Sequence, residues 1–499
     1  MTEKIKKPNI IIFNPDQWRS DVMGCHGNPA AVTPFIDSLV KNDAVSFSNA
    51  FCQNPVCTPS RCSFMTGWYP HVRGHRTMHH MLHPEHGEPN LLEILKNNGY
   101  FVWWGGKNDL VPGQDGFEQY CDVKFTPDQE ALKKRGLTLR RNLHSTVNEW
   151  AEKLEDGNAF SFYAGLLDKE HEDIYCDEDW GMVLGAMDFI ENYDGEKPYC
   201  IYLPLQNPHP PYGIEEPYFS MIDRDKIPLR IPADEDCSKP MILNGIREGQ
   251  NLYNWTESRW TELRAVYYGM CARLDEQFKT LVNALKQADE YESSAIFLFS
   301  DHGDFTGDYG LVEKTQNTFE DCLTRVPFIF KPPAGKAIIP GVNESLIELV
   351  DFPATVYNLT GIEPGYDHFG KSLLPLVSGE ISELRRAVFC EGGRLMHEKQ
   401  AMEKVVASSS NLYWPRLVLQ ASNEKPWHGK AVMCRTAKYK YVARHYELDE
   451  FYDLTCDPGE QVNQIDNQVY SDAIEAHKQL MLGWFIESCD VVPYKMDLR

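Results

Sequence analysis

The densest chemistry in this 499-residue chain lies in the run Cys57-Thr58-Pro59-Ser60-Arg61-Cys62-Ser63-Phe64-Met65-Thr66-Gly67. Pro59 suits the first turn of a helix, where its missing N–H leaves no bond unmade, and Gly67 suits the far end. The spacing predicts a short helix over 60–66. Cys57 then stands at the helix start, where free N–H groups and the positive end of the helix dipole favour a sulfate or phosphate group or a developing alkoxide. Two further pairs, Asp16-Gln17 and Asp301-His302, offer carboxylate, amide and imidazole groups to a divalent cation. Attack on an already anionic centre needs such an ion to offset charge and align both partners. Singly, Asp16 reads as a turn cap and His302 as a packed imidazole; their joint placement behind two apolar runs makes the case for a metal.

What must position these groups is a set of short apolar runs. Residues 9–14 precede Asp16 and Gln17, 100–104 precede Lys107 and Asp109, 199–205 precede His209, and 295–300 precede Asp301 and His302. Continuous apolar runs read as strands buried on both faces of a largely parallel sheet. Ligands of open α/β sheets gather beyond the carboxyl ends of the strands, so four distant segments point toward one site. Helical patterns lie between them, over 90–96 ahead of Gly99 and over 264–288, and the alternation predicts a layered α/β domain. Past residue 378 the character changes. Strand-like runs at 417–419, 431–435 and 438–443 follow one another without intervening helices, and a helix over 471–487 comes after them. The expected organisation is an α/β catalytic domain over 1–378 and a smaller α+β domain over 379–499, tightly packed because no low-complexity linker separates them.

The run from Cys57 to Gly67 resembles the sulfatase signature C-x-P-S-R…T-G. Asp453-Leu454-Thr455-Cys456-Asp457-Pro458-Gly459-Glu460 is similar to the same family's C-terminal D-L-x-x-D-P-x-E element, and 433–441 to the strand pair before it; both are fold markers. The resemblance implies the alkaline-phosphatase-like fold, a large α/β domain with a mostly parallel sheet between helices plus a small C-terminal domain. It implies that Cys57 is oxidised to formylglycine, whose aldehyde hydrate attacks sulfur or phosphorus and whose second hydroxyl later expels the bound oxyanion. One divalent cation would be held at Asp16, Gln17, Cys57, Asp301 and His302. Arg61 would hydrogen-bond the formylglycine oxygen through its planar fork, while Lys107 and Lys314 supply point charges for the nucleophile and the transferred group. His209, in a segment similar to the family's P-H-x-P element, would contact the sulfate and protonate the leaving oxygen.

Two departures from the family pattern matter. Many sulfatases carry two acids at the first pair and Asp-Asn at the second, an all-oxygen set suited to calcium. Gln17 and His302 look more like the phosphonate monoester hydrolases and choline sulfatases of the same superfamily, and imidazole suits manganese better. Calcium, the family's usual ion, therefore stays open beside magnesium and manganese. At Asp109 the family's G-K-x-H-L has histidine, and the aspartate is read as the replacement base that lets the covalent hemiacetal collapse. The implied activity is hydrolysis of sulfate esters on a small or carbohydrate body, with phosphonate monoester or phosphodiester hydrolysis as the alternative. Two further readings are an anion binder with unmodified Cys57 and a phosphatase relative using Thr58.

A net charge of −24 argues against nucleic acid or an anionic membrane as a general partner. Any anionic substrate must be held by a local basic pocket. No apolar run approaches the roughly 20 residues that span a bilayer, and residues 1–8 lack the pattern of a secretion signal, so a cytoplasmic location is expected. In that reducing compartment most of the 14 cysteines are free thiols, with Cys52 and Cys62 as packing residues. His75, His79, His80, His83 and His86 lack the two-pair spacing of a metal site and read as a loop near the pocket mouth that contacts substrate. The expected partners are a sulfate ester and a formylglycine-generating maturation enzyme. The oligomeric state, a homo-oligomer included, is open.

Overall fold

The computed structural model describes residues 7–233, 239–403, 411–422 and 424–496. Its centre is an eight-stranded sheet built from β1 (Asn9–Asp16), β2 (Val45–Phe47), β3 (Phe101–Gly105), β4 (Val123–Phe125), β5 (Tyr199–Pro208), β6 (Ser294–Phe299), β7 (Phe328–Lys331) and β8 (Gly341–Asn343). The strand order is β8-β2-β7-β6-β1-β5-β3-β4. β1 pairs in parallel with β5 and β6, β3 with β4 and β5, and β8 with β2, while β7 runs antiparallel to β6 and β2. Every residue of β1 is buried. Ile10 and Ile12 enter the core on one face of the sheet and Ile11 and Phe13 the core on the other, which is why the run is continuously apolar rather than alternating.

The helices that bear on the site are α1 (Cys57–Thr66), α2 (Leu91–Asn97), α3 (Glu178–Asn192), α4 (Met241–Gln250), α5 (Glu257–Gln287), α6 (Trp414–Gln420) and α7 (Ser471–Ser488). α5 covers one face of the sheet, with the Phe278 ring 5.1 Å from that of Phe13. α1 covers the other, with Phe64 edge-on to Phe299 at 5.0 Å. Each such buried side chain contributes about 1.5–3 kcal/mol relative to exposure, so the strands that carry the site are clamped from both sides. α2 follows Asn90, whose side chain accepts from the Leu92 N–H and caps the helix.

A second sheet is antiparallel and runs β9 (Val388–Gly392), β10 (Ala431–Arg435), β11 (Tyr439–Arg444) and β12 (Glu450–Asp453). It is backed by α7, whose Trp484 stacks on Phe389 with centroids 4.5 Å apart. Lys440 ties this sheet to the larger body through its buried Nζ, bonded to the Phe319 carbonyl at 2.8 Å and to Asp321 and Glu460 at 2.7 Å each. The architecture is the expected large, mostly parallel α/β body with a smaller C-terminal sheet and helix.

Two local expectations change. α1 starts earlier than the proline suggested, at Cys57 itself. The run 417–419 is not a strand but part of α6, because Pro415 sits in the first helical turn and the face carrying Leu417 is buried; three apolar residues alone do not separate a strand from a buried helix. The thirteen cysteines among the described residues all have free thiols, and Cys52 and Cys62 pack in the core. No described helix is long and apolar enough to cross a membrane.

Candidate active site

β1 and β6 are neighbours in parallel register, so the segments that leave their carboxyl ends run side by side. Asn14 Nδ2 donates to the Phe299 carbonyl at 2.8 Å and the Trp18 N–H to Ser300 Oγ at 2.8 Å. Gln17 adopts a left-handed turn, φ 71°, that ends β1 and aims its N–H at Asp301 Oδ1, 3.1 Å away. The start of α1 is fixed to the same place by Ser60 Oγ, which donates to the Asp301 carbonyl at 2.6 Å. Three segments distant in sequence thereby bring Asp16, Cys57, Asp301 and His302 together, fully buried, with one ligand atom from each all within 4.8 Å of one another.

Cys57 Sγ lies 3.2 Å from His302 Nε2, 3.5 Å from Asp16 Oδ1 and 3.7 Å from Lys107 Nζ. His302 Nδ1 donates to the Gly303 carbonyl at 2.9 Å. That bond fixes the tautomer and leaves the Nε2 lone pair facing the cluster, the usual way a ligating imidazole is oriented. Burial pushes the His302 pKa down, so the ring is neutral. Two carboxylates and a neutral imidazole fit a divalent cation. The fit is supported by Asp301 Oδ2, which is buried, faces Arg61 at 2.8 Å and makes no hydrogen bond of normal geometry.

Three cations surround this cluster. Lys107 Nζ is 2.7 Å from Asp16 Oδ2 and 2.8 Å from Asp109 Oδ2. Burial works against its charge, but Asp109 and Asp16 outweigh burial and raise its pKa. Lys314 Nζ bonds Gln17 Oε1 at 2.7 Å and pairs with Glu313 at 2.9 Å, and is likewise held charged against burial by Glu313 and Asp16. Asp16 is the mirror case: burial disfavours its charge, yet the Lys107 ammonium and the Arg61 guanidinium hold it well below the usual carboxylate range. The Arg61 guanidinium faces Asn14 Oδ1 (2.7 Å), the Tyr202 hydroxyl (3.2 Å), Asp16 Oδ2 (3.0 Å) and Asp301 Oδ2 (2.8 Å), and its buried Nε has no hydrogen-bond partner among the described residues. Arg61 is the counter-charge between the two carboxylates. Burial pushes the Cys57 thiol up, so the unmodified side chain is not a thiolate nucleophile at neutral pH.

Asp109 reaches the cluster only through Lys107. His209 is buried at the edge of the site, and its Nδ1 donates to the Pro210 carbonyl at 2.6 Å. Burial, reinforced by Lys314, pushes its pKa well down. The segment that carries it is braced by buried Asp179 of α3, which accepts from the Gln206 and Asn207 N–H groups at 2.8 Å each. Gln17 does not stand free either: its Nε2 donates to Asp304 Oδ2 at 2.5 Å, and Asp304 also accepts from the Tyr212 hydroxyl. Asp304, Asp179, His144 and Tyr413 escaped the sequence reading. His144 and Tyr413 flank His209, with ring centroids 5.8 and 6.4 Å from it. Asp304 lay two positions past the recognised pair Asp301-His302, but His144 and Tyr413 had no sequence signal. The histidine loop packs on α1, where Thr58 Oγ1 donates to the Met78 carbonyl at 3.4 Å. His75 pairs with Glu88 at 3.1 Å and His83 with Glu85 at 3.0 Å, and none of these histidines joins the one metal-competent group found among the described residues.

A mostly parallel sheet whose strand ends gather two acids, an imidazole and a helix-start cysteine among three cations defines an alkaline-phosphatase-like hydrolase. The model of the Sulfatase family matches residues 8–362, and the chain belongs to that family. A choline-sulfatase of Rhizobium meliloti (strain 1021) is 26% identical over 487 residues, covering 92% of this chain and 83% of its own. A multifunctional alkaline phosphatase superfamily protein of Trinickia caryophylli is 24% identical, covering 97% and 96%. Among solved structures, a phosphonate monoester hydrolase from Silicibacter pomeroyi superposes with a TM-score of 0.74 at 21% identity, covering 98% of this chain and 96% of that one, a likeness of fold.

Proposed function

We propose that this sulfatase-family hydrolase cleaves sulfate esters of a small or carbohydrate alcohol, with residue 57 matured from cysteine to formylglycine and one divalent cation held by Asp16, Asp301 and His302, with Gln17 beside them. The observation that carries the reading is Cys57 itself, at the first turn of a buried helix and within 3.2–3.7 Å of an imidazole, a carboxylate and a lysine. The cation supplies Lewis-acid polarisation of a sulfuryl oxygen and offsets the charge of two anions brought together. The formylglycine hydrate supplies an oxygen nucleophile that a thiol held protonated does not.

The chain's own residues do the rest. Asp16 holds Lys107, which also faces residue 57, so an ammonium is fixed beside the attacking oxygen. Lys314, braced by Glu313 and Gln17, presents its charge to the transferred group. Such fixed charges at a developing anion are worth about 10²–10³-fold in kcat each. His209 enters neutral; an arriving anion favours its protonated form, which then donates a proton from Nε2 to the leaving oxygen. Asp109 takes up, by way of the Lys107 ammonium between them, the proton that resets residue 57, and Asp109→Asn is expected to slow steady-state turnover more than the first turnover; equal effects on both sink this assignment. A reducing compartment suits thirteen described thiols without a disulfide, which supports a cytoplasmic site of action together with the maturation enzyme.

The second reading, phosphonate monoester hydrolysis, is favoured by one observation: an amide and an imidazole stand at the second member of each metal pair, making the site less negative. Matched sulfate and phosphonate esters of one phenol decide between them. A kcat/KM at least about tenfold higher for the sulfate supports the first reading, and the reverse order overturns it.

A further inference from the structure

Between β9 and β10 the described residues 393–403, 411–422 and 424–430 pack against the active-site body. Arg76 Nη1 donates to the Gly393 carbonyl at 2.8 Å, Gln420 Nε2 to Gln316 Oε1 at 2.7 Å, and Asn317 Nδ2 to the Trp427 carbonyl at 2.8 Å. α6, within this stretch, lies against α4. Gly245 and Gly249 of α4 permit the approach, since a Cβ on either would come within 2.9 Å of Leu419 and Trp427 or of Pro415.

This seating brings Tyr413 and Arg416 to the catalytic groups. The Tyr413 ring packs with His144 at 6.0 Å, His209 at 6.4 Å and Phe162 at 5.6 Å, and the Arg416 guanidinium lies over it at 5.4 Å. Arg416 is 7% exposed. Nevertheless its Nε and Nη1 are buried with no hydrogen-bond partner among the described residues. The nearest carboxylates are Glu403 at 3.5 Å and Glu313 at 4.0 Å, both looser than the roughly 2.7–2.9 Å of a charge-assisted hydrogen bond. Glu313 turns its other oxygen to Lys314, so Arg416 stands one carboxylate away from a lysine of the site. A buried guanidinium with unused N–H groups is costly unless something entering the site accepts from it. Its planar fork fits an oxyanion.

We propose that Tyr413 and Arg416 form a subsite for a second anionic group on the substrate, a carboxylate or a further sulfate borne by the alcohol that departs. The substrate class is then a polyanionic sulfate ester such as an acidic saccharide. The proposal rests on the sulfate-ester reading and names the substrate body that reading left open. A chain of net charge −24 repels such a substrate overall, so its capture depends on cations concentrated at this one place, and Arg416 adds a third charge there, stacked on the Tyr413 ring that packs near His209.

The test uses three sulfate esters on one scaffold, carrying a neutral hydroxyl, a carboxylate or a second sulfate at the same remote position, with the formylglycine-bearing full chain. In the wild type at least one dianionic ester should exceed the neutral one by about tenfold or more in kcat/KM, and which one identifies the anion. Arg416→Gln should bring that ratio to within about twofold, with Arg416→Lys between them. A wild-type ratio near one for both anions, or a ratio that survives in Arg416→Gln, overturns the subsite. Should Arg416→Gln not fold, Tyr413→Phe is read by the same ratio, which should fall at least about threefold if the hydroxyl serves the anion; no fall overturns it. Turnover of none of the three esters overturns the sulfate-ester reading itself, a distinct result.

Discussion

Arg61 provides the sharpest test of how the site is balanced. It is completely buried, and its guanidinium bridges Asp16 and Asp301, the two carboxylates assigned to the cation. Arg61→Met keeps most of the volume and removes the charge, leaving two buried carboxylates facing one another. Breaking a buried pair by removing one partner costs about 3–5 kcal/mol. For a chain of 499 residues unfolding cooperatively, 1 kcal/mol corresponds to about 1 °C, so the midpoint should fall by about 3–5 °C. That figure applies without a cation. A bound divalent ion supplies positive charge to the same two carboxylates, so the deficit should shrink to about half when manganese or calcium is saturating. Thermal unfolding of wild type and Arg61→Met, each with chelator and with saturating ion, gives the four midpoints. A fall below about 2 °C in chelator, or one as large with the ion as without, would refute the assignment of Arg61 as counter-charge of a metal site.

Three other expectations follow from the geometry. Cys57→Ala should lose about 10⁴-fold or more in kcat/KM while Thr58→Val keeps most of it, because Thr58 Oγ1 faces the Met78 carbonyl rather than the cluster; the opposite pattern in steady-state assays would favour Thr58 as nucleophile. Asp304→Asn should weaken divalent-ion affinity by about 10–100-fold through Gln17, measured by competition with a metal indicator, and unchanged affinity would show that Gln17 plays no part in holding the ion. Burial, with Lys107, pushes His144 down to about 4. The unfolded imidazole titrates near 6.5, so the unfolded chain binds the proton first and wild-type stability is lost as pH falls from about 6.5 to about 4. His144→Phe removes this contribution, and the gap between the two proteins in unfolding free energy, from denaturant titrations, should shift in the variant's favour by about 2–3 kcal/mol across that window. No change in the gap would contradict a neutral, partly buried His144.

What was legible in the sequence follows from where each constraint is local. β1, β3, β5 and β6 announce themselves as continuous apolar runs because both faces of the sheet are covered, and Asp16, Lys107, His209, Asp301 and His302 were visible because they follow those runs directly. α1 was visible through Pro59 and Gly67. The strand misread at 417–419 was three apolar residues whose helical state depends on seating against α4, which no local pattern encodes. Arg61 was recognisable as a site residue, but its partners were not, because they come from β1, β5 and the turn after β6 and are set by strand order. His144, Tyr413 and Arg416 gave no signal at all. His144 meets His209 through its own turn after residue 142, while Tyr413 and Arg416 reach the same place because α6 seats against α4.

The most direct test is the mass of the tryptic peptide spanning residues 42–61, taken from protein made in its native cell and already shown to turn over a sulfate ester. An aldehyde in place of the thiol at Cys57, in a fraction that tracks specific activity across preparations, is the result expected. Active protein whose residue 57 is wholly unmodified cysteine would contradict the mechanism proposed for this site.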